Sequence, residues 1–180
     1  MHKPFDRIPC LEGDRILVKR IEETDADAVD RLRNSSEVYR YLPTFLYEQS
    51  IRDIHTVIYG MYDKLFLEKE SLHLGIYWKK NMEFCGIAEF YGYRSEILKI
   101  SLGYRLLKEW WGQGIATETV GLLVDYLYGQ TDIQIITAST MVENVASAKV
   151  LRKNGFDLVI SGVEEDWGYP ALTLSDKWIL

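Results

Sequence analysis

The first third of the chain alternates between a strand-like and a helix-like pattern of apolar positions. Residues 15–21 alternate with a period of two, which predicts a β-strand. Thr24 then offers a helix N-cap, and acidic residues follow it at the positive end of a short helix. A second helix is predicted from Ser50, with Asp53 as the acid of a capping box. Its apolar stripe follows the 3.6-residue period of an α-helix through Ile51, Ile54, Ile58, Met61 and Leu65.

The period returns to two in the middle of the chain. Residues 72–78 alternate, Lys79, Lys80 and Asn81 turn the chain, and residues 84–91 form the return strand. A third strand is predicted over residues 98–106, so the three form an antiparallel meander.

After Leu106 the pattern becomes that of alternating strands and helices. A helix follows the turn at residues 111–116 and ends at Gly129. The remaining elements are a strand, a helix and two closing strands, at residues 133–138, 145–154, 158–163 and 171–179. The predicted order is βααβββαβαββ. We therefore expect an α+β (mixed α/β) fold with helices on both faces of the sheet.

Composition narrows the class of protein without naming an activity. The 180 residues are 47% hydrophobic and 27% charged, which predicts one globular domain over residues 1–180. A net charge of −6 disfavours nucleic acid as a partner and favours a cationic one, such as an amine. No apolar run approaches the roughly 20 residues that cross a bilayer, so no membrane association and a cytoplasmic location are expected.

The cysteines and histidines of the sequence offer no covalent or metal chemistry. Cys10 and Cys85 are far apart, and neither has a histidine nearby in sequence. The histidines, His2, His55 and His73, lack metal-ligand spacing. We therefore expect no metal site.

A glycine-rich turn between a strand and a helix is the first candidate site. Gly112 and Gly114 flank Gln113, so backbone amides can approach a ligand without an intervening Cβ. The helix that follows adds unpaired N–H groups and a partial positive charge, which favour an anion such as phosphate. A P-loop would need Lys-Ser/Thr after the second glycine, and a dinucleotide fingerprint would need a third glycine where Thr117 stands.

Several segments together resemble one known family. The stretches LGYRL (102–106) and WGQGIATE (111–118) resemble the cofactor loop of the GCN5-related N-acetyltransferase (GNAT) superfamily. ENVASA (143–148) and RKNGF (152–156) match the same family downstream, and residues 15–21 resemble its first strand. The likeness is greatest to the ribosomal-protein alanine/serine N-terminal acetyltransferase branch and spans nearly the whole chain.

The resemblance implies the GNAT fold, with its sheet splayed at the cofactor site, and acetyl-CoA as co-substrate. It implies cofactor contacts at Tyr104, Arg105, Leu106, Trp111, Gly112, Gln113, Gly114, Ile115, Ala116, Thr117 and Asn144.

Two positions depart from the usual GNAT pattern. Trp111 stands where most relatives carry Gln or Arg, and Leu151 replaces the tyrosine that commonly protonates the departing thiolate. Ser147 is the alternative catalytic residue by resemblance, although a serine there also suits the helix cap, as does Asn144.

The sequence leaves the identity of the general base open. Glu89 is the first candidate, on a strand face that it would share with Cys85 and Ile87. The acidic cluster at residues 164–166 and a water-relayed base are the others.

The leading hypothesis is an N-acetyltransferase acting on a primary amine, with the α-amino group of a protein as one acceptor. A small-molecule amine is a second acceptor class. A silent acyl-CoA-binding module is the alternative from another class of protein. The chain is expected to act as a monomer or homodimer.

Overall fold

The computed structural model describes residues 1–44 and 47–180, and of Tyr47 it describes only the backbone. Within these residues the strands form one eight-stranded sheet of order β1-β2-β3-β4-β5-β6-β8-β7. Their bounds are β1 Leu11–Glu12, β2 Ile16–Arg20, β3 Ser71–Trp78, β4 Glu83–Arg94, β5 Lys99–Leu106, β6 Ile135–Met141, β7 Asp157–Glu165 and β8 Thr173–Ile179.

The helices fill the connections between these strands. They are α1 Ala26–Arg33, α2 Ser36–Tyr39, a π-helix Thr56–Tyr62 that continues into α3 Asp63–Leu67, α4 Ile115–Gln130 and α5 Val145–Lys153. Short 3₁₀ turns lie at Glu23–Asp25, Tyr47–Gln49 and Lys108–Trp110.

The predicted strands and the α+β class are confirmed, and the start of the second helix was wrong. Ser50 lies in a turn, and the helix begins only after Asp53. Asp53 is itself the capping residue, since its carboxylate accepts the Thr56 backbone N–H at 3.0 Å and the Thr56 hydroxyl at 2.7 Å. The first strand after the meander also begins at Ile135 rather than Ile133.

Apolar residues form a separate core on each face of the sheet. On one face, Ile16, Leu74 and Phe90 pack with α4 and α5. On the other face, Tyr77 and Ile87 pack with α1 and the π-helix. Burial of apolar area on both faces fixes the register of the central strands, because a slip of one residue would exchange the two cores.

The pairing of β5 with β6 is the feature of the fold that shapes the site. The two strands run parallel and pair only over Lys99–Ile135, Ile100–Ile136 and Ser101–Thr137. Beyond these pairs β5 continues to Leu106, paired with β4 alone, while β6 pairs with β8. The sheet therefore opens between β5 and β6.

Candidate active site

Two cavities meet at the opening between β5 and β6. The glycine-loop cavity has a volume of about 370 Å³ and is lined by the turn before α4, the first turn of α4 and residues of α5 from Ala146 to Lys153. The carboxylate cavity has a volume of about 570 Å³ and is lined by Glu48, His73 and Glu89. Of the residues that the structure describes, five line both cavities: Tyr41, Leu42, Tyr104, Asn144 and Ser147.

The glycine turn presents open backbone at the start of α4. Gly112 and Gly114 have φ of +71° and +80°, the left-handed region that glycine adopts without strain. Gly114 is the N-cap of this 16-residue helix, and no side chain in the described part of the protein caps it. Its first N–H groups thus remain for a ligand, at the positive end of the helix dipole.

Ion pairing to the first strands holds the turn in place. Arg15 donates to Glu118 Oε2 at 2.8 Å and to the Gln113 carbonyl at 2.8 Å. The backbone N–H of Arg15 donates to Glu118 Oε1 at 2.7 Å. Of the residues predicted to bind the cofactor, Gln113 alone does not line the glycine-loop cavity, since its amide donates to the Glu109 carbonyl.

The other predicted cofactor residues reach the glycine-loop cavity in different ways. Trp111 is 44% exposed, and its indole N–H donates to the Leu106 carbonyl at 2.9 Å, a side-chain role that sequence did not indicate. The Leu107 N–H donates to Cys85 on β4, so alternation directs the N–H groups of Leu106 and Tyr104 toward the opening.

Arg105 lies in the wall of the glycine-loop cavity but is directed away from it. A Cβ on Gly86 would lie only 2.1 Å from the Arg105 carbonyl oxygen, so this carbonyl faces β4. Its guanidinium is 2% exposed and bonds Glu48 at 2.8 Å and Glu89 at 3.1 Å. Its guanidinium and its carbonyl are thus engaged away from this cavity, and a cofactor contact at Arg105 stays a prediction.

Glu48, Arg105 and Glu89 form a buried charge cluster. The hydroxyls of Tyr39 and Tyr62 donate to Glu48, the latter at 2.8 Å. Two carboxylates thus share one guanidinium, and the His73 imidazole lies beside them, 3.3 Å from Glu89 Oε2. Because Glu89 lines the adjoining cavity with a carboxylate, this cavity favours a cationic group.

Glu89 presents one free oxygen to the carboxylate cavity. Oε2 accepts Arg105 at 3.1 Å and lies 3.3 Å from His73 Nε2. No partner for Oε1 is found among the side chains of residues 1–44 and 48–180 or the described backbone, and this atom lies over Gly103, where a Cβ would be 2.7 Å away. Burial acts to raise the pKa of Glu89, but Arg105 and His73 outweigh it and lower the pKa to about 2.

The strand face predicted for Glu89 was partly wrong. Ile76 pairs with Gly86 and Tyr77 with Phe84, so Cys85 is an extra residue in β4. This bulge reverses the alternation, and Cys85 packs with α4 while Ile87 packs with α1. Burial raises the pKa of the Cys85 thiol to about 12, which leaves it protonated.

Ser147 and Asn144 lie at the start of α5. Asn144 Oδ1 accepts the Ser147 backbone N–H at 3.1 Å, so Asn144 is the N-cap of this helix. The Ser147 hydroxyl accepts a hydrogen bond from the Tyr104 hydroxyl at 3.3 Å. Capping thus uses the Ser147 backbone and leaves its side chain at the junction of the two cavities.

The acidic cluster at residues 164–166 contributes one residue to the carboxylate cavity. Glu165 lies in its wall and pairs with Lys177. Nearby, Thr44 donates to the Trp167 carbonyl at 2.8 Å and the Tyr169 hydroxyl donates to that of Leu42 at 2.8 Å. These bonds join the loop after α2 to the β7–β8 connection beside the cavity.

Sequence reasoning missed Glu48 and the site role of His73. Glu48 lies in a short 3₁₀ turn with no motif around it, and His73 alternates with core leucines as any strand residue does. His73 stacks on Tyr62 with ring centroids 4.2 Å apart, and the π-helix brings Tyr62 there. π-helical turns occur frequently at functional sites.

Two kinds of feature are absent from the described residues. No cluster of three His, Cys, Asp or Glu side chains is arranged to bind a metal. None of the helices in that part of the chain has the length and apolarity to cross a membrane.

Comparison with known proteins places these features in a family. The model of the acetyltransferase (GNAT) domain matches residues 15–157. The chain is 29% identical over 151 residues to the "Uncharacterized N-acetyltransferase YoaA" of Bacillus subtilis, covering 82% of each chain.

Solved structures of the same fold bind coenzyme A. RimL, a ribosomal α-N-protein acetyltransferase in complex with coenzyme A, has a TM-score of 0.81 at 17% identity, covering 96% of this chain and 97% of that one. Spermidine N-acetyltransferase from Vibrio cholerae, in complex with CoA and spermine, has a TM-score of 0.78 at 15% identity, covering 93% and 96%.

Proposed function

Because the chain belongs to the acetyltransferase (GNAT) family, we propose that it transfers the acetyl group of acetyl-CoA to a primary amine. The observation that carries the proposal is the junction of the two cavities at Tyr104 and Ser147. One cavity suits an anionic donor, and the other suits a cationic acceptor. A transfer between them requires the two reactants to meet at this junction.

The glycine-loop cavity fits the pyrophosphate and pantetheine parts of acetyl-CoA. The uncapped N-terminus of α4 offers N–H groups to phosphate oxygens, and a Cβ at Gly112 would meet nothing within 4 Å. Lys149 and Lys153 also line this cavity and add positive charge. The N–H groups of Tyr104 and Leu106 point into the opening, where the pantetheine arm would lie. When bound, acetyl-CoA supplies the acetyl group as an activated thioester.

The carboxylate cavity fits the ammonium form of the acceptor. Glu89 stays ionised at physiological pH because its pKa is about 2, and its free Oε1 can accept a hydrogen bond from the amine. The same low pKa means that Glu89 does not retain the proton that the amine must lose. We therefore assign Glu89 to binding and orienting the amine, with the proton passing to water in the cavity.

The apolar wall of the carboxylate cavity adds to this electrostatic attraction. Met61, Leu65, Leu102 and Trp167 line it beside the charged groups. We propose an acceptor that carries one ammonium near Glu89 and apolar atoms behind it. The solved relatives include one acting on a ribosomal protein and one on spermidine, so protein α-amino groups and small amines are both candidates.

The test is to follow release of free thiol from acetyl-CoA with a panel of acceptors. The panel should contain peptides with free N-termini, polyamines and monoamines with apolar substituents. We expect turnover with at least one class, and a KM for the amine that rises about 10-fold or more in Glu89→Gln. Binding of CoA without turnover on any acceptor would instead support a silent acyl-CoA-binding module. If acetyl-CoA does not raise the melting temperature at all, the donor assignment fails.

A further inference from the structure

The Tyr104–Ser147 hydrogen bond joins β5 to α5 at the junction of the two cavities. We propose that Tyr104 is a positioning residue, whose hydroxyl fixes the Ser147 hydroxyl so that its proton points at the departing sulfur. This inference rests on the proposed function, since it concerns the thiolate that acetyl transfer releases.

The hydrogen-bonding capacity of the two hydroxyls supports this orientation. A tyrosine hydroxyl has a single proton, and that of Tyr104 is donated to Ser147 Oγ at 3.3 Å. Ser147 therefore acts as acceptor in this bond and retains its own proton for another acceptor. No acceptor for that proton is found among the side chains of residues 1–44 and 48–180 or the described backbone. The accepted bond excludes the orientation in which the Ser147 proton faces Tyr104, which leaves the proton to the open space of the junction.

The backbone around Ser147 is fixed as well. Its N–H is held by Asn144 Oδ1 at 3.1 Å, at the first turn of α5. Ala148 and Leu151, which follow on the same helix, are buried in the core. Tyr104 is equally constrained, because β5 pairs with β4 along its length. Both partners thus lie on packed elements, as a precise positioning contact requires.

The chemistry requires a donor at the sulfur but not a second acid. As the amine nitrogen bonds to the thioester carbon, the C–S bond breaks and sulfur keeps the electron pair. The acylated nitrogen then loses its second proton to water, and the thiolate takes up a proton from water. A hydrogen bond from Ser147 stabilises the developing thiolate. Burial raises the pKa of Tyr104 above the usual value of 10, well above that of a thiol, so Tyr104 keeps its proton. Its contribution is the orientation and polarisation of Ser147.

A double-mutant cycle separates this role from an independent one. Ser147→Ala is expected to lower kcat about 100-fold, as removal of a donor to a developing anion does. Tyr104→Phe, which keeps the ring, is expected to lower kcat about 10-fold with little change in the KM for the amine. If Tyr104 acts through Ser147, the double variant is no slower than Ser147→Ala. Multiplication of the two losses in the double variant would overturn the proposal, as would a wild-type rate in Tyr104→Phe.

A binding measurement tests the same contact without turnover. Calorimetry at a pH above the thiol pKa compares CoA with desulfo-CoA, which lacks the sulfur. The wild-type preference for CoA should fall in both Tyr104→Phe and Ser147→Ala. An unchanged preference in Tyr104→Phe would overturn the proposal even if no amine substrate is found. Absence of turnover in the wild type, with the preference intact, would instead count against the proposed function.

Tyr93→Phe is the matched control. It also removes one tyrosine hydroxyl that is buried and has no hydrogen-bond partner among the described residues. Tyr93 lines neither cavity. We expect its kcat and its preference for CoA to match the wild type, and melting temperatures of all variants report whether each remains folded.

Discussion

Gly103→Ala is predicted to disable the acceptor site through a single methyl group. The Cβ of the alanine would lie 2.7 Å from Glu89 Oε1, 3.2 Å from its Cγ and 3.4 Å from its Cδ. Ordinary contact begins near 3.4 Å, so the carboxylate must retreat by about 0.7 Å. Gly103 has no unusual φ, so alanine causes no backbone strain by itself.

The displacement acts on bonds that are already long. Glu89 Oε2 lies 3.1 Å from Arg105 and 3.3 Å from His73 Nε2, and a shift of the carboxylate weakens at least one of these contacts. Charge-assisted hydrogen bonds contribute about 1.5–3 kcal/mol each. The acceptor would in addition find Oε1 displaced. Since about 1.4 kcal/mol corresponds to a factor of ten, we expect loss of one such bond to lower kcat/KM for the amine about 10- to 100-fold.

The assay measures kcat/KM for the amine and, separately, CoA affinity by calorimetry. CoA affinity should stay within about twofold of the wild type, because Gly103 does not line the glycine-loop cavity. Gly129→Ala is the matched control, since a Cβ there meets nothing within 4 Å. If Gly103→Ala kept the wild-type kcat/KM, or lowered it further in a Glu89→Gln background, Glu89 would not act from the place assigned to it.

Three other predictions concern pH, the turn and its anchor. Burial acts to raise the pKa of Glu89 and Arg105 lowers it, with a result of about 2 against 4.5 for an ordinary glutamate. The ionised form therefore stabilises the fold above pH 4.5, and this stability is lost as the pH falls toward 2. In Glu89→Gln the free energy of unfolding, measured in urea, should depend less on pH between 4.5 and 2 than in the wild type. Gly114→Val forces a β-branched residue to φ +80°, and should cost about 1–2 kcal/mol of stability and weaken CoA binding in thermal-shift titrations. Arg15→Ala releases the Gln113 carbonyl, and should lower CoA affinity about 3- to 10-fold in calorimetry, whereas an unchanged affinity would show that the turn holds without it.

Regular periodicity made the sheet and the last two helices predictable. Alternation along β3, β4 and β5 is visible in the sequence because each strand buries residues on a core face. The helix start near Ser50 was wrong because Asp53 can act as a capping-box acid or as the cap itself, and sequence does not distinguish the two. The π-helix was missed since its apolar residues also satisfy a 3.6-residue period.

The sequence predicted the glycine-loop side of the site better than the acceptor side. Gly112 and Gly114 lie in one continuous segment, so local spacing carries their meaning. Glu48, His73 and Glu89 come together only through strand pairing and packing, which leave no local signal. The bulge at Cys85 also reverses the alternation of β4, and the residue types around it do not predict a bulge.

The early end of the β5–β6 pairing has a consequence for the mechanics of the molecule. In the described part of the chain, three residue pairs alone join the β1–β5 part of the sheet to the β6–β8 part. The N–H groups of Tyr104 and Leu106 therefore form a strand edge inside the protein. A ligand arm lying there would act as an added strand, in the manner of β-augmentation. Binding of the arm would then slow hydrogen exchange of the backbone amides in β5 and β6, on both sides of the opening. Donor binding would thereby stiffen the sheet against which the acceptor is held.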